Sequence, residues 1–376
     1  MKKLHLLFAG LLVCGALFMS SCNESDNPVN KPTNRTGIPD DKDATPNPVL
    51  NLDDLNTIIP NFNYSHEMIN GELVIRLDLT GVKDPYTNDW VELYGTNHPN
   101  QNLWVSVDGI PKGFTVEKVD NQNKGAVDLV FLVDNSGSMS EEANAIARDI
   151  IAWAEKLSKA LDIQFGCVGY DGSLSGAINI TTVDKLSDFL NFSSGTSRTY
   201  HFGGPDAENL KAKAAQYNNS YRECGVAALR FADENFTFRP GANRIYVNFT
   251  DEPNQPNGKA DYSTEWVKVA ENWPATKGTI HTIYSGSKNY TERINIEEYP
   301  WNLSDYTGGT TLFASYTFSG VTLDDLPVTG ALLNSYIIRF RNVPLDGQPH
   351  LVWLTVKSTS PNGEILADKQ SEIVFQ

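Results

Sequence analysis

The feature that most constrains the fold is a continuous apolar run, "VDLVFLV" (residues 127–133), which ends on Asp134 and leads into a long stretch of helical periodicity. A strand that is apolar on both faces is typical of a parallel sheet covered by helices on both sides. Similar runs, "IQFGCVGY", "RIYVNFT" and "GTIHTIY", alternate with helical stretches such as "CGVAALRFADE". This alternation predicts an α/β fold, a doubly wound and mostly parallel Rossmann-like sheet, over residues 125–333.

The segments on either side, residues 51–124 and 334–376, have a different pattern. Short β-branched and aromatic runs, "ELVIRLDL", "DWVELYG", "NLWVSVDG" and "GFTVEKVD", are separated by Gly, Asn and Pro, which is typical of strands and turns. Neither flank is long enough for a substantial core of its own. The two flanks could therefore pair into one β-sandwich into which the α/β domain is inserted, and the sequence leaves open whether they do.

The N-terminus, "MKKLHLLFAGLLVCGALFMSSC", has two lysines, a short apolar run and small residues before Cys22, which predicts a secretory signal over residues 1–21. The end of this signal, "LFMSSC", resembles the lipobox of bacterial lipoproteins. That resemblance implies a lipid on Cys22 and attachment to the bacterial outer membrane, facing the periplasm or the cell surface. Ordinary cleavage that leaves Cys22 as a bystander thiol is the alternative. Residues 22–50 are rich in Asn, Asp, Pro and Thr and are expected to be a disordered tether.

The formal charge of the chain is −16, and removal of the signal, which contains two lysines and no acids, would take it to −18. Such an acidic chain would repel phosphate groups. Nucleic acid and anionic membrane surfaces are therefore not expected as partners, and membrane association is expected through the lipid alone.

Three oxygen-bearing side chains follow the first apolar run at alternate positions: Asp134, Ser136 and Ser138. Ligands of open parallel sheets collect at the carboxyl ends of the strands, where Asp134 lies. A carboxylate and two hydroxyls on a tight loop, for which Gly137 is expected to be needed, suit Mg²⁺, Mn²⁺ or Ca²⁺. The alternative for Ser138 is a capping box with Glu141 at the start of the following helix.

The stretch "DLVFLVDNSGSMS" resembles the metal-ion-dependent adhesion site of von Willebrand factor type A domains, the fold shared with integrin I domains. The resemblance extends over residues 126–333 and includes "RIYVNFTD", which ends on Asp251. It implies that Asp134, Ser136 and Ser138 are metal ligands and that Asp251 is a second carboxylate, often acting through water. It also implies a protein partner that supplies a carboxylate to the metal.

The chain departs from this family at the remaining ligand, a threonine usually found in a Gly-Gly-Thr sequence. Here "ECGVAAL" resembles the integrin β-subunit version instead, which implies Glu223 as the ligand. An exposed first-turn glutamate, favoured by the helix dipole, is the alternative, and Thr196 and Thr199 are the fallback ligands. In the same resemblance, Glu141 and Glu142 imply a second cation, although acids are common in a first helical turn.

The sequence has no GxSxG, HExxH or Walker-type motif. We therefore expect a cation-dependent binding or adhesion protein rather than an enzyme. A metal-assisted hydrolase or phosphatase, and a structural domain with a vestigial motif, are the alternatives. Cys167 and Cys224 remain in the folded part, and the sequence leaves open whether they pair.

Overall fold

The described part of the chain comes from a computed structural model and comprises ten ranges. They are residues 36–50, 60–120, 125–140, 142–191, 210–214, 217, 223–254, 273–287, 299–315 and 322–376.

Within these ranges the strands, in chain order, are β1 (Phe62–Ile69), β2 (Glu72–Leu79), β3 (Leu103–Val107), β4 (Ile110–Pro111), β5 (Phe114–Lys118), β6 (Val127–Asp134), β7 (Ile163–Tyr170), β8 (Leu174–Thr181), β9 (Asn243–Thr250), β10 (Thr279–Ser285), β11 (Thr311–Ala314), β12 (Tyr336–Phe340), β13 (Pro349–Ser360) and β14 (Gly363–Val374). The α-helices of the same ranges are α1 (Ala143–Ala160), α2 (Val183–Asn191), α3 (Leu210–Ala214), α4 (Gly225–Asn235), α5 (Asn302–Thr307) and α6 (Val328–Leu333).

The central sheet has six strands in the order β11-β10-β9-β6-β7-β8, and all are parallel except β8. All eight residues of β6 are buried. On one face the sheet packs against α1, α2 and α6, and on the other against α3, α4 and α5. The continuous apolar run of β6 thus has the expected physical cause, which is burial on both faces. The predicted fold class, a doubly wound and mostly parallel α/β sheet, is confirmed.

Two antiparallel sheets flank this domain, with the strand orders β1-β2-β12-β5 and β14-β13-β3-β4. Strand β12 lies between β2 and β5, and β13 pairs with β3. Each of the two sheets therefore combines strands from before and from after the α/β domain. Their apolar side chains form one buried cluster, to which Leu77, Val105, Ile338 and Leu354 belong. The α/β domain is inserted into this sandwich.

Residues 36–50 contact the sandwich, although the disordered tether was expected to extend to residue 50. Ile38 is only 1% exposed. The side-chain nitrogen of Asn47 donates to Thr355 Oγ1 at 3.0 Å, and Lys112 Nζ lies 3.1 Å from Asp41 Oδ2. The expectation is wrong for these residues, because polar contacts and the buried side chain of Ile38 hold them against the sandwich. Such isolated contacts produce no periodic pattern, so the sequence did not indicate them.

The run "DWVELYG" was expected to be a strand, but only one isolated bridge, between Lys83 and Trp90, occurs there. The amide of Asn102 bonds this backbone from the side. Its nitrogen donates to the Glu92 carbonyl at 2.8 Å, and its oxygen accepts the Tyr94 N–H at 2.8 Å. A side chain thus occupies the backbone groups that a neighbouring strand would otherwise pair with.

Cys167 and Cys224 are both buried and form no disulfide with each other. Cys167 belongs to the apolar cluster on the α1 face of the central sheet, and Cys224 to the cluster on the α4 face. The sheet therefore separates the two thiols. Among the described helices, none has both the length and the apolar character that crossing a membrane requires.

Candidate metal centre

The carboxyl ends of β6 and β9 are adjacent, and it is at this point that the strand order reverses. From β6 the chain continues to β7 and β8 on one side, and then returns to β9, β10 and β11 on the other. Such a switch point leaves a crevice between the two loops that follow the strands. The loops bring Asp134 and Ser136 close to Thr250 and Asp251.

These loops are joined by a ring of contacts. Ser136 donates its backbone N–H to Asp134 Oδ1 at 3.0 Å, and its hydroxyl lies 2.9 Å from the Ser138 hydroxyl. Ser138 Oγ donates to Asp251 Oδ1 at 3.1 Å. Thr250, which directly precedes Asp251, closes the ring because its hydroxyl lies 2.8 Å from Asp134 Oδ2. The structure thus brings together Asp134, Ser136, Ser138 and Asp251 of the predicted site.

Asp134 is a buried carboxylate at 1% exposure. Burial raises its pKa well above the ordinary value, and the nearby charge of Asp251 raises it further, while the bonds from Ser136 and Thr250 act in the opposite direction. The pKa of Asp251 is also raised by burial. Among the described residues, no Lys or Arg forms an ion pair with either carboxylate. Within the described part of the chain, the site therefore concentrates two carboxylates that no cationic side chain neutralises.

The alternative interpretation, a capping box between Ser138 and Glu141, stays untested because Glu141 lies outside the described residues. Residues Ser138–Ser140 form a separate 3-10 turn, and α1 begins only at Ala143. Its N-cap residue is Glu142, and no side chain caps the helix there. The Ser138 hydroxyl contacts Ser136 in its own loop and Asp251 in the loop after β9.

Gly137 is not required by the loop, contrary to the expectation from its sequence. A Cβ atom at this position would meet nothing within 4 Å, and the residue does not have a positive φ. The turn between Ser136 and Ser138 is thus open to other residues.

Glu223 lies directly before α4, whose N-cap is Cys224. The start of α4 reaches the β9 end of the crevice, because Val226 donates its N–H to Asn254 Oδ1 at 3.3 Å. Gly225 also packs against the side chain of Asn248 in β9. The helix start that carries Glu223 is therefore anchored to the strand and loop that carry Asp251, and its role as a ligand stays a prediction.

Several predicted residues lie outside the described part of the chain. They are Glu141, the fallback ligands Thr196 and Thr199, and Cys22, the predicted site of lipid attachment. Glu142, the other residue of the predicted second cation site, is described and is 4% exposed. Its carbonyl accepts the N–H of Ile146 at 2.9 Å in the first turn of α1.

Sequence reasoning missed Thr250 and Tyr170. The backbone carbonyl of Tyr170 accepts the N–H of Asn135 at 2.6 Å, and its hydroxyl donates to Asn248 Oδ1 at 2.8 Å. Burial raises the pKa of Tyr170 strongly, and the charge of Asp134 raises it further. Tyr170 ends β7 and Thr250 ends β9, and these two strands are the neighbours of β6, which ends on Asp134. A polar residue at the end of each neighbouring apolar run is the sequence feature that could have identified them.

The atoms of the ring that could bind a metal are carboxylate and hydroxyl oxygens, which are the hard ligands that Mg²⁺, Mn²⁺ and Ca²⁺ prefer. The described residues contain no group of three His, Cys, Asp or Glu side chains placed to hold a metal ion. A cation in the crevice would therefore depend on the hydroxyls of Ser136 and Ser138 as well as on Asp134. The residues present fit a hard divalent cation.

No protein-family model matches the chain, and no curated protein sequence does. Solved structures with similarity to it include the conserved hypothetical protein BatB from Bacteroides thetaiotaomicron, at 14% identity over 50% of this chain and 90% of that one, with a TM-score of 0.32. An aerotolerance-related membrane protein from Bacteroides fragilis is 13% identical over 55% and 98%, with a TM-score of 0.33. The vWF domain of the type V pili tip protein Mfa5 from Porphyromonas gingivalis is 10% identical over 55% and 95%, with a TM-score of 0.35. At these values the likenesses carry no argument about function, and the fold class rests on the strand order described above.

Proposed function

We propose that this chain is a lipid-anchored binding or adhesion protein that engages a protein partner through a divalent cation, Mg²⁺ or Mn²⁺. The cation is held in the crevice between β6 and β9. Asp134, Ser136 and Ser138 are the ligands from β6 and its loop, Glu223 is the candidate ligand from the start of α4, and Asp251 is the second carboxylate.

The single observation that carries this proposal is the burial of Asp134 beside a second carboxylate, with no ion pair to either from a Lys or Arg of the described residues. Removing an ion from water costs several kcal/mol unless a counter-charge compensates it. The neighbouring charge of Asp251 adds to this cost, because like charges repel more strongly where water is excluded. A divalent cation bound between the loops offsets both costs. A strand end with a purely structural role has no need of two neighbouring carboxylates that lower stability.

The hydrogen bond from Ser138 to Asp251 supports an outer position for Asp251. A carboxylate that accepts a bond from a ligand hydroxyl can orient that ligand without touching the metal. If Asp134, Glu223 and Asp251 all coordinated directly, three negative charges would exceed the two positive charges of the metal. With Asp251 behind the ligands or behind water, the cation keeps an open position for an Asp or Glu of the partner.

The predicted lipid on Cys22 would hold this domain at the bacterial outer membrane. The net charge of −16 disfavours nucleic acid as the partner. A partner carboxylate would approach the same acidic chain, so the cation is needed to attract it. A second cation near Glu141 and Glu142 would reduce the remaining negative charge further.

The test is capture of a partner from surface extracts of the native host by the immobilised protein, with Mg²⁺ and again with a chelator. Capture is expected only with Mg²⁺ and only by chains that retain Asp134. Asp171→Asn is the matched control, because Asp171 directly follows Tyr170, the residue paired with Asp134 in the sheet. A partner that binds equally well in excess chelator, or to Asp134→Asn, contradicts the proposal.

A further inference from the structure

Thr250 is buried at the end of β9, at 2% exposure, and its hydroxyl has contacts on two sides. It lies 2.8 Å from Asp134 Oδ2 and 3.1 Å from the Glu252 carbonyl, and it accepts the Glu252 N–H at 3.1 Å. A hydroxyl has one proton, and the carboxylate is both the nearer and the charged acceptor. The proton of Thr250 is therefore donated to Asp134.

The two oxygens of Asp134 are consequently held in different directions. Oδ1 accepts the Ser136 N–H at 3.0 Å and faces the loop that carries the hydroxyls of Ser136 and Ser138. Oδ2 is turned towards β9 by Thr250. Only one oxygen of this carboxylate is thus directed to the space beside the serine hydroxyls.

The number of oxygens that a carboxylate offers affects which cation it prefers. Ca²⁺ takes six to eight oxygen ligands in flexible geometry and readily accepts both oxygens of one carboxylate. Mg²⁺ requires a nearly ideal octahedron with shorter bonds, and two oxygens of one carboxylate fit that geometry poorly. A carboxylate limited to one oxygen therefore favours the smaller cation.

We infer that Thr250 is a specificity-determining residue, which holds Asp134 to coordination through Oδ1 alone and so selects Mg²⁺ or Mn²⁺ over Ca²⁺. This inference rests on the proposed cation site and adds the choice of cation to it. Thr250 acts through Asp134 and does not contact the metal, so it is a positioning residue.

The test is competition of Mg²⁺ and of Ca²⁺ against Mn²⁺, followed by the electron paramagnetic resonance signal of free Mn²⁺. The Mn²⁺ binding that remains in Asp134→Asn is subtracted, so that only Mn²⁺ bound in the crevice between β6 and β9 is counted. Thr250→Val keeps the shape of the side chain and removes its proton donor, and Thr250→Ala, measured in parallel, removes it with less bulk. Thr250→Ser keeps the hydroxyl.

The ratio of the Kd for Ca²⁺ to the Kd for Mg²⁺ is expected to fall about tenfold in Thr250→Val and Thr250→Ala, the size expected for one lost hydrogen bond to a charged group. Thr250→Ser should keep the original ratio. Thr282→Val is the matched control, because Thr282 is a buried threonine of β10 whose hydroxyl bonds Ser304 and Pro300, outside the ring. Its ratio should equal that of the unaltered chain.

An unchanged ratio in folded Thr250→Val or Thr250→Ala, with binding retained, overturns the inference. An equal rise of the Kd for Mg²⁺ and the Kd for Ca²⁺ in these variants also overturns the inference. Thr250 would then determine the affinity of the site for cations in general and not its preference for Mg²⁺. Failure of the unaltered chain to bind Mn²⁺ at all contradicts the proposed cation site itself, and the inference with it.

Discussion

Ser138 and Asp251 are 113 residues apart in the chain and are joined by a hydrogen bond of 3.1 Å from Ser138 Oγ to Asp251 Oδ1. Ser138 belongs to the loop after β6, and Asp251 directly follows β9. The two strands pair in parallel over their length. The ring of oxygen atoms therefore forms only when β6 and β9 are paired, and cation binding should report on the folded sheet.

The first prediction concerns the contact between α4 and β9. Gly225→Ala would place a Cβ atom 2.8 Å from Asn248 Oδ1, and the Asn248 amide is already held by the Tyr170 hydroxyl. Alanine favours a helix by about 1 kcal/mol, but overpacking costs about 1–3 kcal/mol. We expect the free energy of unfolding to fall when it is measured by urea denaturation.

Gly137→Ala is the control for this variant, because a Cβ atom at Gly137 has open space. Its free energy of unfolding should stay within about 0.5 kcal/mol of the original value. If Gly225→Ala is as stable as Gly137→Ala, the close packing of α4 on Asn248 is wrong.

The second prediction concerns His350, which lies between two carboxylates of the sandwich. Its Nδ1 is 2.7 Å from Asp108 Oδ2, and its Nε2 is 2.9 Å from Asp346 Oδ1. Only the protonated ring can donate to both. The hydrogen bond to Asp108 raises the pKa of His350 most, and that to Asp346 raises it further.

Because the folded pKa of His350 is raised, its stabilising effect is fully present below the unfolded value of about 6.5 and is lost as the pH rises through the folded value. The pKa values of Asp108 and Asp346 are lowered, so their contributions are lost only in acid. Urea denaturation between pH 6 and 9 should show a decrease that His350→Gln lacks. His66→Gln, a change in another histidine of the sandwich, should retain it, and identical pH profiles for all three chains would contradict the assignment.

The α/β fold was predictable from the sequence because most strands of the central sheet are long, continuous apolar runs. Strands such as β6 and β7 are buried on both faces and read as continuous apolar runs, and their shared edge follows from parallel pairing. Strand β8 was missed because most of its residues are only half-buried, so its sequence, "LSGAINIT", has no comparable run. It is also antiparallel to its neighbour β7, whereas the other described strands of the sheet pair in parallel.

The candidate site divides in a similar way. Asp134 is the last residue of β6, and Ser136 and Asp251 lie just after the ends of β6 and β9, positions that sequence patterns locate. The contact between Thr250 and Asp134 depends on the rotation of a threonine side chain across two paired strands, and the sequence does not specify that rotation. The "DWVELYG" prediction failed for a related reason, since a side-chain amide, that of Asn102, bonds the backbone where a strand was expected.

The third prediction concerns Glu223. Glu223→Thr restores the more common family ligand and removes one negative charge from an already acidic site, so partner binding should be retained or strengthened. The measurement is the capture experiment with Mg²⁺, repeated with this variant. Loss of capture by a properly folded Glu223→Thr would show that the charge of Glu223 is needed and that the charge argument has the wrong sign.

The fourth prediction concerns the membrane anchor. Cys22→Ser should release the protein from the membrane fraction, because serine has no thiol to receive a lipid. Cys14→Ser is the control, since Cys14 lies within the predicted signal and should not affect anchoring. The measurement is fractionation of cells that express each variant, and membrane levels of Cys22→Ser equal to those of Cys14→Ser would refute lipid attachment at this residue.

The most direct test of the central claim is titration calorimetry of the purified protein with Mn²⁺. Asp134 supplies the only carboxylate of the motif, and Asp134→Asn keeps its shape while removing its charge. We predict that the unaltered chain and Asp171→Asn bind Mn²⁺ in the crevice and that Asp134→Asn, with its fold intact, loses that binding. Equal Mn²⁺ affinity and stoichiometry for the unaltered chain and Asp134→Asn would contradict a cation site between β6 and β9.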